Sequence, residues 1–410
     1  MSRVTPLEGI KVLDLSRILA GPWATQLLAD LGADVIKIEK PAGGDDTRHW
    51  GPPYLKDGAG RESGESAYFL SANRGKRSVA IDFATPEGAR LVRELALQSD
   101  VLVENYKVGG LARHGLAWQD LAPLHPGLIY CSISAFGQSG PAAANPGYDA
   151  MIQAMGGLMS ITGRPDTEPG GGPQKVGVAV ADLLSGMYAS TAILAALYER
   201  EQSGQGQYID LALLDTQVAS LANQALNFLV SGTAPARHGT AHPNIVPYQA
   251  FATADGHLML AIGNDRQFTA FCEAAGLTGL AADPRYASNA QRVANRQPLV
   301  AQLATALKSS TTRDWVSRLT TVNVPCGPIN DIAQVFAEPQ VRHRELQLSL
   351  PHTGAGSAPG VRNPIRLSRT PLQYSRSAPL LGEHTDAVLA ERLGLSAEEL
   401  RGLHDRGVLK

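Results

Sequence analysis

The chain has 410 residues, of which 44% are hydrophobic and 18% are charged. Its formal net charge is -2 and its basic residues are spread along the chain, which argues against a nucleic-acid or membrane-surface protein. A length of this kind predicts two domains. The three cysteines, Cys131, Cys272 and Cys326, are far apart, so neither a disulfide framework nor a zinc motif is indicated. The first residues contain no apolar signal core, and we expect a cytoplasmic location.

The chain opens with a predicted strand, helix and second strand, over residues 9–15, 22–31 and 33–38. The turn between the first strand and the helix lacks the GxGxxG pattern, which disfavours a dinucleotide site. Strand and helix patterns continue to alternate as far as Ile133. The sequence therefore predicts an α/β domain with a doubly wound, mostly parallel sheet.

Basic residues fall at or just beyond the predicted strand ends, where open α/β sheets bind ligands. Several of them lie in a long polar loop, residues 41–77, and loops of this length in a compact domain are usually functional or mobile. The pattern predicts that they hold a phosphate-rich ligand; solvation of a loop rim is the alternative. The residues are Arg17, Lys37, Lys40, Arg48, Arg74, Lys76 and Arg77.

Asp182 follows a small, apolar approach, residues 176–181, and precedes an apolar pattern with helical spacing that is expected to end at Gly204. It stands where the N-cap of this helix is expected, and capping is one interpretation. No other acid lies between Glu168 and Glu199, so the carboxylate is expected to face a dry site. The positive end of the helix would keep it ionised there. An ionised carboxylate in such a place is a candidate nucleophile.

The apolar run 211–230 is interrupted by polar residues, which predicts a long core helix and not a membrane span. The composition then changes: residues 231–240 resemble a linker, and a hairpin is expected across Asp255-Gly256. We therefore predict a smaller α+β domain over residues 231–350.

Residues 354–360 are rich in Gly, Ser and Pro and are expected to form a connector. Closing helices follow it. We expect the segment 351–410 to return to the first domain, 1–230, so that the large domain is discontinuous.

Seven short stretches form a specific set that spans almost the whole chain: residues 7–14, 20–22, 31–39, 73–77, 103–105, 181–182 and 204–206. Together they resemble the family III CoA-transferases of the CaiB/BaiF type. Three further stretches, 239–251, 324–330 and 335–341, are similar to succinyl-CoA:dicarboxylate transferases of the glutarate and hydroxymethylglutarate kind.

The resemblance implies an acyl-CoA substrate, succinyl-CoA as the donor, a short dicarboxylic acid as the acceptor and no metal. Glutarate, hydroxymethylglutarate, itaconate, mesaconate and citramalate all remain open as acceptors. The resemblance also places the family's catalytic aspartate on Asp182. Its implied role is covalent, because the carboxylate attacks the thioester to form an anhydride and then carries CoA as an aspartyl thioester.

The resemblance further implies contacts with CoA from residues in four parts of the first domain. They are Arg17, Ile18, Leu19, Lys40, Asn105, Tyr106, Lys107 and Arg113. Two positions depart from the pattern of relatives. Formyl-CoA transferases have Gln where Leu19 stands, and a Lys is common where Ala84 stands, so both changes remove polar groups near the expected CoA.

α-Methylacyl-CoA racemases share the fold and the aspartate, and they are the alternative function. Their His-Asp-Ile-Asn-Tyr signature is absent, and the equivalent region, residues 146–157, resembles the transferases. A non-catalytic CoA-binding protein would leave Asp182 without a role. His242, flanked by Thr240 and Asn244, is a candidate contact for a substrate carboxylate. The resemblance also implies an interlocked homodimer, with active sites between the large domain of one chain and the small domain of its partner.

Overall fold

The computed structural model describes residues 5–410 and divides them into two compact units. The large unit contains the chain as far as Gly157, then Val176–Ala225 and Gln340–Lys410, and the small unit contains Leu158–Lys175 and Leu226–Pro339. The predicted boundaries, 1–230, 231–350 and 351–410, differ from these. The segment 158–175 was assigned to the large domain by prediction and belongs to the small unit, which ends before residue 350.

The large unit is built on a six-stranded sheet in which every neighbouring pair is parallel. Its strands are β1 (Lys11–Asp14), β2 (Asp34–Glu39), β5 (Arg77–Ala80), β6 (Val101–Glu104), β7 (Ile129–Ser134) and β8 (Tyr208–Ala212), in the order β5-β2-β1-β6-β7-β8. An antiparallel pair, β3 (Tyr54–Lys56) and β4 (Glu62–Ser66), lies in the loop after β2. The predicted doubly wound, mostly parallel sheet is confirmed.

The first nine helices, all before residue 232, are α1 (Ala20–Asp30), α2 (Ala67–Ala72), α3 (Pro86–Ala96), α4 (Trp118–Leu121), α5 (Asp149–Met155), α6 (Leu158–Ile161), α7 (Val180–Ser203), α8 (Leu213–Ser220) and α9 (Ala222–Ser231).

The small unit has a three-stranded sheet, β9 (Tyr248–Ala252), β10 (His257–Ala261) and β11 (Cys326–Pro328), in the order β11-β10-β9. Its remaining helices are α10 (Asp265–Ala274), α11 (Thr278–Ala282), α12 (Asn289–Ala294), α13 (Arg296–Leu307), α14 (Thr312–Thr321) and α15 (Ile332–Ala337).

The segment that returns to the large unit begins with α16 (Pro339–His343) and ends with α17 (Thr385–Leu393) and α18 (Ala397–Asp405). Between them lies a hairpin of β12 (Gln347–His352) and β13 (Gly356–Val361). The predicted connector at 354–360 is therefore wrong. At the end of the chain, the N–H of Asp82 donates to the carbonyl of Val408 at 2.8 Å.

Helices cover both faces of the large sheet because successive strand residues point to opposite sides. Val12 packs with Ala24 of α1 and Ile193 of α7. Its neighbour Leu13 packs on the other side with Leu91 of α3, in a cluster that also contains residues of α17 and α18. The continuous apolar runs of the predicted strands reflect this double coverage.

The run 211–230 is two helices and not one, since α8 ends at Ser220 and α9 begins at Ala222, where φ is +47°. The prediction of a single helix is wrong there. Among residues 5–410, one helix, α7, is long and apolar enough to cross a membrane by length and composition. It contributes Ala181, Ala189 and Ile193 to the core of the large unit, and buried core helices of other proteins pass the same test.

Candidate active site

A cavity of about 210 Å³ opens at the carboxyl ends of β1 and β6. These strands are neighbours, but the chain proceeds from β1 to one side of the sheet and from β6 to the other. The loops after the two strands therefore separate at this point, which is where open α/β sheets bind ligands. The lining consists of residues 17–20, 105–108, 133–135 and 143–148, with Asp46, Asp182 and Leu213.

The turn after β1 is held by side chains from three other segments. Asn105 accepts a hydrogen bond from the Arg17 N–H at 2.8 Å and donates to the Arg17 carbonyl at 2.7 Å. Lys37 donates to the carbonyl of Ser16, and the N–H of Ile18 donates to Asp45 at 3.3 Å. Ile18 has a φ of +70°, which is strained for a β-branched residue. The surrounding hydrogen bonds hold this conformation in place at the wall of the cavity.

Four of the cations that the sequence suggested for phosphate binding are buried in ion pairs. Lys37 pairs with Asp45 at 3.0 Å and Lys76 with Asp14 at 3.0 Å, and all four side chains are fully buried. Two buried arginines are paired in the same way, Arg48 with Glu39 and Arg74 with Asp30. The prediction that these four cations hold a ligand is wrong. Their role is to neutralise buried carboxylates beneath the first turn.

Burial alone would raise the pKa of Asp14, but Lys76 and Lys37 hold it at about 2. Asp14 also accepts hydrogen bonds from Ser16 and Thr25. Both Asp14 and Lys76 are therefore charged at neutral pH, since burial lowers the pKa of Lys76 only to about 8. The base of the turn is a fixed ionic cluster.

Two of the predicted CoA contacts differ from the rest in position. Residues 17–19 and 105–107 line the cavity, whereas Lys40 and Arg113 do not. Lys40 is half-exposed and lies 3.5 Å from Asp46, which also pairs with Arg17 at 3.2 Å. Arg113 is exposed, and its Nε donates to the ring of His114. The sequence analysis did not identify Asp46, although it lies in the polar loop discussed there.

Asp182 lines the cavity and is 9% exposed. Helix α7 begins at Val180 and its N-cap is Ala179, so the N-cap prediction for Asp182 is wrong. Asp182 is the third residue of the helix, and among the described residues no hydrogen-bond donor shifts its pKa. The carboxylate is thus available to a reactant and is not occupied by capping.

A second carboxylate, that of Asp149, holds the start of α7. It accepts a hydrogen bond from the N–H of Ala181 at 2.8 Å and another from the side chain of Gln153 at 2.7 Å. Gln153 in turn accepts from the N–H of Val176 at 3.0 Å, which fixes the approach to the helix. Sequence reasoning noted the stretch 146–157 for its likeness to transferases, but it did not assign a role to either residue.

Burial and the charge of Asp149 raise the pKa of Asp182 to about 7. The helix terminus was expected to keep this carboxylate ionised, but desolvation outweighs the helix dipole and ionisation is incomplete at neutral pH. A carboxylate with a raised pKa is more basic and hence more nucleophilic once it has lost its proton. The site supplies a reactive carboxylate above pH about 7.

Close contact between α7 and α1 places Asp182 beside the first turn. Gly186, one helical turn after Asp182, lies against the beginning of α1, and a Cβ atom there would be 2.7 Å from the carbonyl oxygen of Ala20. Glycine is required by this approach. The contact between Gly186 and Ala20 therefore holds the start of α7 against the strained turn at Ile18, and both Ile18 and Asp182 line the cavity.

Glu104, at the end of β6, shapes the second wall of the cavity. Its carboxylate accepts a hydrogen bond from the Tyr106 N–H at 2.7 Å, and burial raises its pKa to about 7. It therefore orders residues 105–107 without contributing to the lining itself. In the sequence, residues 103–105 were recognised only as one of the stretches that resemble the CoA-transferase family, and no role was predicted for Glu104.

His242 lies in the small unit, just before β9. Its Nδ1 atom accepts a hydrogen bond from the N–H of Asn244 at 3.0 Å, and its ring packs on Tyr248. Among residues 5–410, no group of three or more His, Cys, Asp or Glu side chains is arranged to hold a metal ion.

The sequence profile of CoA-transferase family III matches residues 7–385. The chain belongs to this family. It is 52% identical over 390 residues to the succinate–glutarate CoA-transferase of Agrobacterium fabrum, with 95% of this chain and 96% of that protein covered. It is 43% identical over 411 residues to the human succinyl-CoA:glutarate CoA-transferase, with 100% and 91% covered.

Among solved structures, a CaiB/BaiF family protein from Brucella suis superposes with a TM-score of 0.83 at 49% identity, covering 95% of this chain and 99% of that one. The predicted family, its α/β fold and the enzyme class are confirmed. The substrates of this CoA-transferase are CoA thioesters and carboxylic acids.

Proposed function

We propose that this CoA-transferase moves CoA from succinyl-CoA to glutarate, with Asp182 as the nucleophile. The observation that carries the proposal is the position of Asp182. Its carboxylate is buried, does not cap the helix, and lines the cavity where the loops after β1 and β6 separate. The printed activities of the relatives at 52% and 43% identity support the choice of donor and acceptor.

In the proposed mechanism, one oxygen of ionised Asp182 attacks the thioester carbonyl carbon and the C–S bond breaks. A mixed anhydride and a CoA thiolate result. The thiolate then attacks the aspartyl carbonyl, releasing succinate and leaving CoA on Asp182 as a thioester. Glutarate reverses both steps and restores the free carboxylate. Two displacements in each half of the reaction, every one with a good leaving group, replace one difficult exchange between carboxylates.

The residues proposed to bind CoA are those that the resemblance indicated and that line the cavity with Asp182. They comprise Arg17, Ile18 and Leu19 after β1, and Asn105, Tyr106 and Lys107 after β6. Lys40 and Arg113 lie outside the cavity and are cations that CoA phosphates would reach beyond its mouth. Leu19 offers an apolar side chain here, so any polar contact from this position comes from its backbone.

An interlocked homodimer and a cytoplasmic location are also part of the proposal. Helix α9 has no buried residue, and four of its large apolar side chains are exposed: Leu226, Phe228, Leu229 and Val230. Apolar surface of this kind marks association sites in folded proteins. Sedimentation of the purified protein at several concentrations would report the oligomeric state.

The function is tested by giving the purified protein succinyl-CoA and a panel of free acids and analysing products by mass spectrometry. We expect glutaryl-CoA and succinate in equal amounts. Formation of no new acyl-CoA with any acid would contradict the proposal. Exchange of stereochemistry in a 2-methylacyl-CoA without any acceptor acid would establish the racemase instead.

A further inference from the structure

The small unit contains an arginine whose charge is not balanced by any acid among residues 5–410. Arg296, the first residue of α13, is half-buried and forms no ion pair with any of residues 5–410. The other two arginines of this unit that are not exposed, Arg237 and Arg292, pair with Asp166 and Asp265 respectively. Burial lowers the pKa of the Arg296 guanidinium, and no neighbouring charge offsets this effect. A half-buried cation without a counter-ion is costly unless a ligand supplies one.

The guanidinium is nevertheless held in a fixed position. Its Nη2 atom donates to two successive backbone carbonyls, those of His242 at 2.9 Å and Pro243 at 2.8 Å. Its Nε and Nη1 atoms make no hydrogen bond with the described part of the chain. One edge of the fork is thus anchored on the loop, and the other keeps donors for a planar acceptor such as a carboxylate.

The loop that anchors Arg296 also presents donors of its own. The Nδ1 atom of His242 accepts a hydrogen bond from the Asn244 N–H, so the proton of the neutral ring is on Nε2. The hydroxyl of Thr240 accepts from the N–H of Ala250 at 3.0 Å, which leaves its own proton available. The loop therefore offers several donors and no carboxylate, which suits an anionic ligand.

We propose that Arg296, with the loop of His242, binds the free carboxylate of the dicarboxylic acid while its other carboxylate reacts. This inference rests on the transferase activity and the homodimer proposed above, and on the arrangement that the family resemblance implies, in which the small unit of one chain completes the site of the other. A dicarboxylate gains a charge-assisted hydrogen-bonded pair that a monocarboxylate of equal length lacks. Arg296 is therefore the residue that makes the enzyme select dicarboxylic acids.

The test compares glutarate with valerate, which has the same number of carbons but a methyl group in place of the second carboxylate. In a double-displacement mechanism, kcat/KM for the acceptor depends only on the steps after the donor acid has left. The ratio of the two kcat/KM values therefore isolates recognition of the free carboxylate. For Arg296→Gln we expect this ratio to fall by ~10- to 100-fold through a higher KM for glutarate, with valerate nearly unchanged.

Arg285→Gln is the matched control, because it also removes a cation from the small unit, but from an exposed pair with Asp283. It should leave the ratio unchanged. If Arg296→Gln melts far below the wild type, Arg296→Lys decides the question by the same ratio, since it keeps the charge and loses only the fork. An unchanged ratio in a folded Arg296 variant overturns this inference alone, whereas a wild type that makes no glutaryl-CoA overturns the proposed function as well.

Discussion

The carboxylate of Asp149 accepts a hydrogen bond from the backbone N–H of Ala181 at 2.8 Å, and this contact brings a second negative charge beside Asp182. The same side chain thus has two effects. It stabilises the start of α7 by satisfying a free N–H group, and it helps to raise the pKa of the nucleophile. The two effects can be separated, because Asn can accept the hydrogen bond without carrying the charge.

Asp149→Asn should therefore move the acid limb of the pH–rate profile to lower pH. In the wild type, kcat/KM is expected to rise as pH passes through about 7, when Asp182 loses its proton. Without the neighbouring charge, the Asp182 pKa falls, although burial still keeps it above the ordinary value. Profiles of both proteins between pH 5 and pH 9 would test this, and an identical midpoint in the two would show that Asp149 acts only through the hydrogen bond.

Asp182→Asn should abolish turnover and stabilise the fold at alkaline pH. The pKa of Asp182 is raised from 3.8 to about 7, so its contribution to stability is favourable at low pH and is lost as pH rises between these values. At pH 8 the wild type bears the full cost of the buried charge. The free energy of unfolding of the variant should then exceed that of the wild type by on the order of 2–4 kcal/mol, and the excess should shrink at pH 5.

Urea unfolding at pH 5 and pH 8 measures the free energy of unfolding of both proteins, and assays with succinyl-CoA and glutarate measure their transferase activity. In the wild type, hydroxylamine added with succinyl-CoA should trap Asp182 as a hydroxamate, seen as a shifted peptide mass. Appreciable transferase activity in Asp182→Asn, together with no adduct on the wild-type peptide, would refute the covalent mechanism.

Gly186→Ala should push α7 away from α1, because the added methyl group meets the Ala20 carbonyl at 2.7 Å. Overpacking of this kind costs about 1–3 kcal/mol, and the displacement of Asp182 should lower kcat/KM by at least ~10-fold. Thr191→Ala, at an exposed position of the same helix, is the control and should change neither value appreciably. Equal melting temperatures and activities for Gly186→Ala and the wild type would mean that the two helices can separate freely.

Lys37→Met should destabilise the large unit strongly, since it leaves Asp45 buried without its partner at 3.0 Å. Removal of one member of a buried pair costs about 3–5 kcal/mol. Lys40→Met, three residues later on a half-exposed side chain, should cost less than about 1 kcal/mol. Chemical denaturation of the two variants gives the comparison; similar losses would show that Asp45 finds another partner.

Local sequence patterns predicted the parts of this fold in which the secondary-structure preference of each residue agrees with the conformation that the tertiary structure imposes. The βαβ opening, the parallel sheet and the position of α7 followed from apolar periodicity, and Asp182 stood out because acids are absent around it. The hairpin at 347–361 was missed because its second strand contains Gly, Ser and Pro, which ordinarily indicate a loop. The break at Ala222 was missed because alanine favours helix and only the tertiary structure imposes its positive φ.

The burial of four predicted ligand-binding cations and the role of Asp149 could not be predicted, because the partners of these side chains are distant in the sequence. Lys76 finds Asp14 and Arg74 finds Asp30 only when the strands have paired, so sequence alone favoured the usual exposed state of these side chains. Asp149 and Ala181 are likewise far apart in the sequence, because a segment of the small unit, Leu158–Lys175, lies between them in the chain. The residue types in a sequence indicate which chemistry is present, and the pairing of distant residues decides which of those groups remains free to react.

The hydrogen bonds that join Val408 and Lys410 to Asp82 and Ala80 set an order of events during synthesis of the chain. The edge of the large unit beside β5 is not finished until residues 408–410 have left the ribosome, whereas every residue of the small unit has been made before α17 is translated. Nascent β5 must therefore wait with this part of its surface uncovered. Contacts of such long sequence separation slow folding, and this interval is when the new chain most needs protection from aggregation.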